Sequence, residues 1–171
     1  MSQDKIEEIK TKIKQSLNAP RYEHTIGVMN TAQALAKRYQ VDEKKAILAG
    51  LLHDCAKRIA PGVEHAKIGA ELAKKEYGIT DSDILDAITC HTTGRPNMSM
   101  LDKILYIADY IEPGRKEAPR LEEMRQLAFE DLEECLYLIL EDTLSYLQTR
   151  DIEIDPMTEE TYLYYKKQLN K

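Results

Sequence analysis

Tryptophan is absent from this chain of 171 residues, and Phe129 is its single phenylalanine. The core must therefore be filled by leucine, isoleucine, alanine, methionine and tyrosine, a mixture that favours helix. No run approaches the roughly 18 apolar residues of a membrane span. The opening stretch, MSQDKIEEIKTKIK, is charged throughout, so no signal peptide is expected. Cysteine is scarce. Cys55, Cys90 and Cys135 are odd in number and scattered, and they read as reduced thiols of a cytoplasmic protein, not as a disulfide framework. Strand alternation, internal repeats, low-complexity tracts and interdomain linkers are also missing. So is any surplus of positive charge. The net charge of −6 argues against a nucleic-acid surface. It leaves room for a small polyanion, because metal ions and a few Lys or Arg can reverse the sign inside a cleft.

What remains is helical from end to end, and the length suits one domain, residues 1–171. Ile6, Ile9, Ile13 and Leu17 mark a first helix at three- to four-residue spacing. Pro20 can occupy the first turn of a second, reaching about residue 39. Asp42 is the expected N-cap of a third, ending near His53-Asp54, whose stretch AILAGLLH is apolar almost all round and so belongs at the centre. Gly78 is the natural stop of a fourth helix that starts near residue 63. Thr80 with Asp83, and Ser99 with Asp102, resemble capping boxes for a fifth and a sixth. Residues 119–149 are long and helical with a break near Phe129, and Asp155-Pro156 starts a last helix. The expected fold is all-α, a single helical bundle. The apolar stretch at 132–147 can serve a homodimer.

All four histidines (His24, His53, His65 and His91) fall at or near expected helix ends. His53 is followed by Asp54, and a further acid, Asp109, interrupts the apolar run ILYIADYI. If these six side chains converge, four imidazoles and two carboxylates suffice for two metal ions, and bundle interiors commonly host such sites. Taken singly, a histidine is as well explained as a surface or hydrogen-bonded core residue. A lone His-Asp pair carries little weight. Asp109 is harder to dismiss, since a buried carboxylate is costly unless paired or coordinated. Its alternative is a polar stripe of Asp102, Asp109 and Glu112. Cys55 and Cys90 adjoin histidines, but neighbouring helical side chains point about 100° apart, so they read as small buried hydrophobes.

The order of the motifs is more telling. His24, AGLLHDCAK, EHAKIGA, CHTTG and MS-LDKILYIADYIEPGR together resemble the HD-domain phosphohydrolases and, within them, the YqeK family, over about residues 20–150. That family consists of bacterial symmetrical diadenosine tetraphosphate hydrolases with a di-iron centre. The resemblance implies an HD-type bundle. It implies His24, His53, Asp54 and Asp109 as the general ligand set, and His65 and His91 as the two extra ligands of the dinuclear subgroup. Asp54 would bridge the metals. The terminal helices lie outside the match and are assigned only packing.

The chemistry of such a set is consistent with this. Imidazole and carboxylate suit iron, manganese or zinc without choosing among them. Two ions a few ångströms apart can share a hydroxide, acidify it and clamp a phosphoryl group during in-line attack. Asp54 and Lys57 are the expected catalytic residues. Substrate contacts are expected from Lys57, Arg58, Arg95, Arg115 and Arg125, with donors from Thr92, Thr93 and Gly94. The expected activity is hydrolysis of diadenosine tetraphosphate to two ADP by a cytoplasmic enzyme that touches neither nucleic acid nor membrane. Its rivals are an HD phosphohydrolase acting on deoxynucleoside triphosphates, guanosine alarmones or cyclic dinucleotides, a non-catalytic nucleotide sensor, and a plain helical scaffold.

Overall fold

A computed structural model describes residues 3–150 and 152–171. Among the described residues there are nine α-helices and no strand: α1 (Gln3–Ser16), α2 (Ala19–Arg38), α3 (Glu43–Leu52), α4 (Glu64–Tyr77), α5 (Ser82–Cys90), α6 (Met100–Ile111), α7 (Leu121–Glu130), α8 (Leu132–Gln148) and α9 (Pro156–Gln168). Most of their starts follow from local chemistry. Asp42 accepts from the amides of Lys44 and Lys45 and opens α3. Ser99 and Asp102 form a reciprocal capping box on α6. Asp155 caps α9, with Pro156 at its first position. The expected Thr80 cap of α5 is instead Asp81, whose carboxylate accepts from Asp83 and Ile84. A carboxylate accepts these amides more strongly than a hydroxyl does, so the helix begins one residue later. The break near Phe129 lies at Asp131, which ends α7 and caps α8.

Helix α3 is the centre. Its Ala46, Leu48, Ala49, Leu51 and Leu52 are all buried, at 2% exposure or less. Burying a leucine side chain contributes about 1.5–3 kcal/mol, so this apolar surround fixes α3 more firmly than helix propensity could. Gly50 lets α2 and α3 touch backbone to backbone: a Cβ there would lie 2.6 Å from the Met29 Cα. Helix α6 packs on the same core through Leu101, Ile104, Leu105, Ile107 and Ala108. Helix α8 spends its apolar stripe inside the chain, with Leu132, Leu136, Ile139 and Leu140 all buried in the core. The 132–147 segment thus packs its buried stripe within the protomer. No described helix is long and apolar enough to cross a membrane.

This arrangement leaves the C-terminal ends of α3 and α5, the first turn of α4, the first two turns of α2 and the end of α6 facing one cleft.

Candidate metal centre

His24 projects from the second turn of α2, as its sixth residue, and His53 is the C-cap of α3. Directly after it, residues 53–58 fold into tight turns, with the Lys57 amide bonding the Asp54 carbonyl at 3.0 Å. One turn thus aims His53, Asp54 and Lys57 together. His65 is the second residue of α4, and His91 is the C-cap of α5. Asp109 lies in the last turn of α6. The structure brings all six expected residues into one cluster. His24, His53 and Asp109 each offer a ligand atom within 4.8 Å of the other two, and so do His53, Asp54 and His91. His65 joins the second group through its Nε2, 3.1 Å from Asp54 Oδ1 and 3.1 Å from His91 Nε2.

The far side of each ring explains its orientation. His53 Nδ1 lies 2.7 Å from the Gly50 carbonyl, His65 Nδ1 2.5 Å from that of Gly62, and His91 Nδ1 2.7 Å from that of Ile88. His24 Nδ1 lies 3.1 Å from Glu112 Oε1. Carbonyls and carboxylates only accept, so each Nδ1 carries a proton, and each ring when neutral turns the lone pair of its Nε2 inward. Those lone pairs face one another: His53 and His24 Nε2 are 3.3 Å apart. Two unprotonated nitrogens at that distance repel unless a cation stands among them. The donor set therefore fits divalent metal ions, with outer hydrogen bonds of the kind that fix metal-ligating histidines.

The electrostatics agree. Burial pushes His53 down to about 4, so it is neutral at physiological pH and able to ligate. Burial alone would raise Asp54, but the imidazoles of His65, His91 and His53 outweigh it and hold the carboxylate far below its usual range. Asp109 is held low in the same way, against burial, by His24 and the neighbouring rings. Asp109 is not sealed in the core as its apolar neighbours suggested; its side chain keeps 26% exposure on the cleft wall. Burial disfavours a proton on His24, yet Asp109 and Glu112 more than offset this and raise it.

The cleft has a volume of about 430 Å³. Of the expected substrate contacts, Lys57, Thr92 and Arg115 line it. Lys57 Nζ sits 3.3 Å from His65 Nε2, and Arg115 Nη2 2.9 Å from the Asp109 carbonyl and 3.3 Å from its Oδ1. The other five are placed elsewhere. Arg58 donates to the Ser16 carbonyl, Arg95 to Asp102 and Asp86, and Arg125 to the carbonyls of Ile111, Glu112 and Arg115. Thr93 bonds the Gly94 carbonyl. Gly94 itself has φ +67° and packs so closely on α9 that a Cβ would lie 2.7 Å from Thr161 Cγ2. Arg95, Thr93 and Gly94 thus shape the turn after His91, Arg125 the loop after α6, and Arg58 the end of α1. Sequence reasoning missed Arg21, whose Nη1 donates to Asp54 Oδ2 at 3.0 Å, and the bracing role of Glu112. Both sit three residues from a candidate ligand, on the same helix face or at its end, and that spacing was the available signal. The three cysteines are free thiols, each pushed by burial up to about 12, and none takes part in the cluster.

Comparison with known proteins places this geometry. The HD domain family model matches residues 21–114. A Bacillus subtilis protein, "Bis(5'-nucleosyl)-tetraphosphatase, symmetrical", is 42% identical over 90% of this chain and 91% of its own. A Staphylococcus aureus protein of the same description is 35% identical over 94% of both. The chain belongs to the YqeK family of HD-domain proteins. Among solved structures, a predicted HD superfamily hydrolase from Clostridium acetobutylicum, described as involved in NAD metabolism, superimposes with a TM-score of 0.88. It is 37% identical and covers 98% of each chain. The HD match ends at residue 114, just after the last candidate ligand, while the Clostridium acetobutylicum structure, at 98% coverage, extends through α7 and α8 into α9.

Proposed function

We propose that this protein is a metal-dependent symmetrical bis(5'-nucleosyl)-tetraphosphatase that hydrolyses diadenosine tetraphosphate to two ADP. The observation that carries the reading is the set of four inward-facing Nε2 atoms and two carboxylates in a cleft whose free donors are cations. The full-length similarity to relatives of that description supports the substrate. The residues that would hold metal are His24 and Asp109 on one side and His65 and His91 on the other, with His53 and Asp54 between them; the single inward Nε2 of His53 would serve one ion, while Asp54 has two oxygens to offer. Divalent ions, when bound, supply Lewis acidity: they acidify water and neutralise charge on phosphoryl oxygens. Iron is the metal we assign, and manganese and zinc suit the same donors.

The remaining work falls to the chain's own side chains. Arg21 and Arg115 each grip a ligand carboxylate while staying about one-third exposed, at 34% and 35%. Each therefore fixes a ligand and presents the rest of its guanidinium to phosphate oxygens. Lys57 adds a third positive charge beside His65, and the Thr92 hydroxyl lies 3.4 Å from His91 Nε2 on the same wall. A tetraphosphate bridge thus meets cations at either side of the centre and cannot approach without being oriented. In the reaction, the oxygen of water bonds to one inner phosphorus, the central P–O–P bond breaks, and the second ADP leaves with the bridging oxygen. Three free thiols and a soluble nucleotide substrate fit a cytoplasmic setting.

The test is product analysis on anaerobically purified, iron-loaded protein. ADP alone is expected from diadenosine tetraphosphate; AMP with ATP, or no release, overturns the reading. Elemental analysis of the same preparation checks the metal, with iron expected at about two ions per chain.

A further inference from the structure

Beside the metal cleft lies a second cavity of about 490 Å³, within the size range of small-molecule sites. The two share one residue, Arg115. Its guanidinium rests on the carbonyl and carboxylate of Asp109, while Tyr110, the next residue of α6, lines the second cavity. Arg115 thus lines both the metal site and the cavity. On the far wall stands Tyr146, an aromatic residue with 48% of its surface exposed. The Arg150 guanidinium lies over that ring, 4.8 Å from its centroid, while nearly half of the tyrosine stays exposed. Thr143 and Asp142 supply oxygen acceptors nearby.

The cavity is also built to keep its shape. Arg120 holds Asp142 through both carboxylate oxygens, at 2.9 and 2.6 Å, and does so from a left-handed conformation at φ 51°. A non-glycine residue in that region stores strain that the surrounding bonds must hold. Tyr110 donates to the Pro119 carbonyl, and Arg125 ties down the loop behind Arg115. These contacts fix the 113–120 loop between the metal centre and α8.

We propose that this cavity binds the base of one nucleotide half of the substrate, stacked on the exposed ring of Tyr146. The inference rests on the phosphohydrolase reading above. It adds where the nucleoside is recognised. Attack at an inner phosphorus leaves an outer phosphate and a ribose between the reacting atom and the base. The base must therefore lie next to the metal cleft and outside it, with a cation at the junction. Arg115 is that cation, and Tyr146 is the exposed aromatic beyond it. Every base is sequence-tolerantly stackable through its π face, and a cation behind the aromatic strengthens the platform. The residues concerned, Arg115, Thr143, Tyr146 and Arg150, all follow residue 114, where the HD match ends. The HD core would supply the chemistry and the helices after it the recognition.

The test compares ADP with pyrophosphate on metal-loaded, full-length protein by calorimetry. Tyr146→Ala is expected to weaken ADP about tenfold, the scale of one base–aromatic stack, and to leave pyrophosphate and metal content unchanged. Tyr146→Phe should stay within about twofold of the parent, since the π face is retained. The chain has no tryptophan, so Tyr146→Trp introduces a single reporter whose emission ADP should quench and pyrophosphate should not. Equal losses for both ligands, or none for ADP, overturn the proposal, as does equal quenching by both. Unchanged Tyr146→Ala kinetics in an enzyme that still makes ADP would remove the base site and leave the activity standing. ADP stacking in a protein that releases no ADP from diadenosine tetraphosphate would do the reverse.

Discussion

The two halves of the centre hold their histidines by different means. In the inner half, His53, His65 and His91 are nearly sealed, at 0%, 1% and 2% side-chain exposure, and each Nδ1 bonds the carbonyl three residues before it. In the outer half, His24 and Asp109 keep 21% and 26% exposure, and His24 is braced by a carboxylate from another helix. The difference follows from position. A histidine at a helix end finds carbonyls that the helical ladder has left free, and its own backbone can orient it. His24 sits inside a twenty-residue helix whose carbonyls are taken, so its brace must be a side chain. Glu112 is that side chain. The inner half is therefore neutral behind its ligands and sealed, whereas the outer half is anionic behind its ligand and open.

If Asp54 joins the halves, its loss has the largest effect. Its oxygens lie 3.1 Å from His65, 3.6 Å from His91 and 3.7 Å from His53. Asp54→Ala is expected to strip both metal ions and lower turnover roughly a thousandfold, at the upper end of what losing one principal stabilising group costs. Elemental analysis and ADP release check it together. Retention of both ions would show that the halves are independent. Next in size are His65→Ala and His24→Ala. Each should lose about one of the two ions, from the inner and outer half respectively, as removal of a first ligand requires. If either variant keeps both ions, or if the two lose the same ion in a competition with a spectroscopically distinct metal, the division into halves is wrong.

That division was only partly legible in the residue order. The cap residues Asp42, Ser99 with Asp102, and Asp155 announced where α3, α6 and α9 begin, because short acceptors at helix starts act locally. The cluster was legible because His53, His65 and His91 stand at such starts and ends. The carbonyl braces were not, since backbone atoms leave no trace in residue identity. The placement of the arginines was hard to read for a related reason. Arg58, Arg95 and Arg125 have reach enough to find a carbonyl or carboxylate in many directions, and in each case a helix end or a buried acid took them. Asp102 is wholly buried, and Arg95 is its charge partner. Arg21 and Glu112 were findable: each lies one helical turn from a ligand that itself sits within a helix. That rule applies to the outer half alone.

The smallest expected effect is the sharpest test of the comparison. Glu112→Gln keeps the size of the side chain and an oxygen that can accept from His24 Nδ1, removes the charge, and exchanges the oxygen that accepts from the Gly114 amide for an NH2 group. The site has no room for a larger change, because Glu112 packs against Gly27 and its Oε2 accepts from the Gly114 amide at 2.6 Å. A carboxylate behind an imidazole makes it a more basic ligand, and losing such a partner typically costs 10–100-fold in metal affinity. With the hydrogen bond retained, a drop of about tenfold at one site is expected, the low end of that range. The same charge raises the affinity of His24 for protons, so its neutral counterpart should also titrate lower in chelated protein, as read by the imidazole resonances. A metal titration that weakens one site and spares the other would place the anionic brace in the outer half alone. Equal weakening of both sites would mean that the two halves respond to charge as one unit, and the contrast between carbonyl and carboxylate bracing would have no functional content.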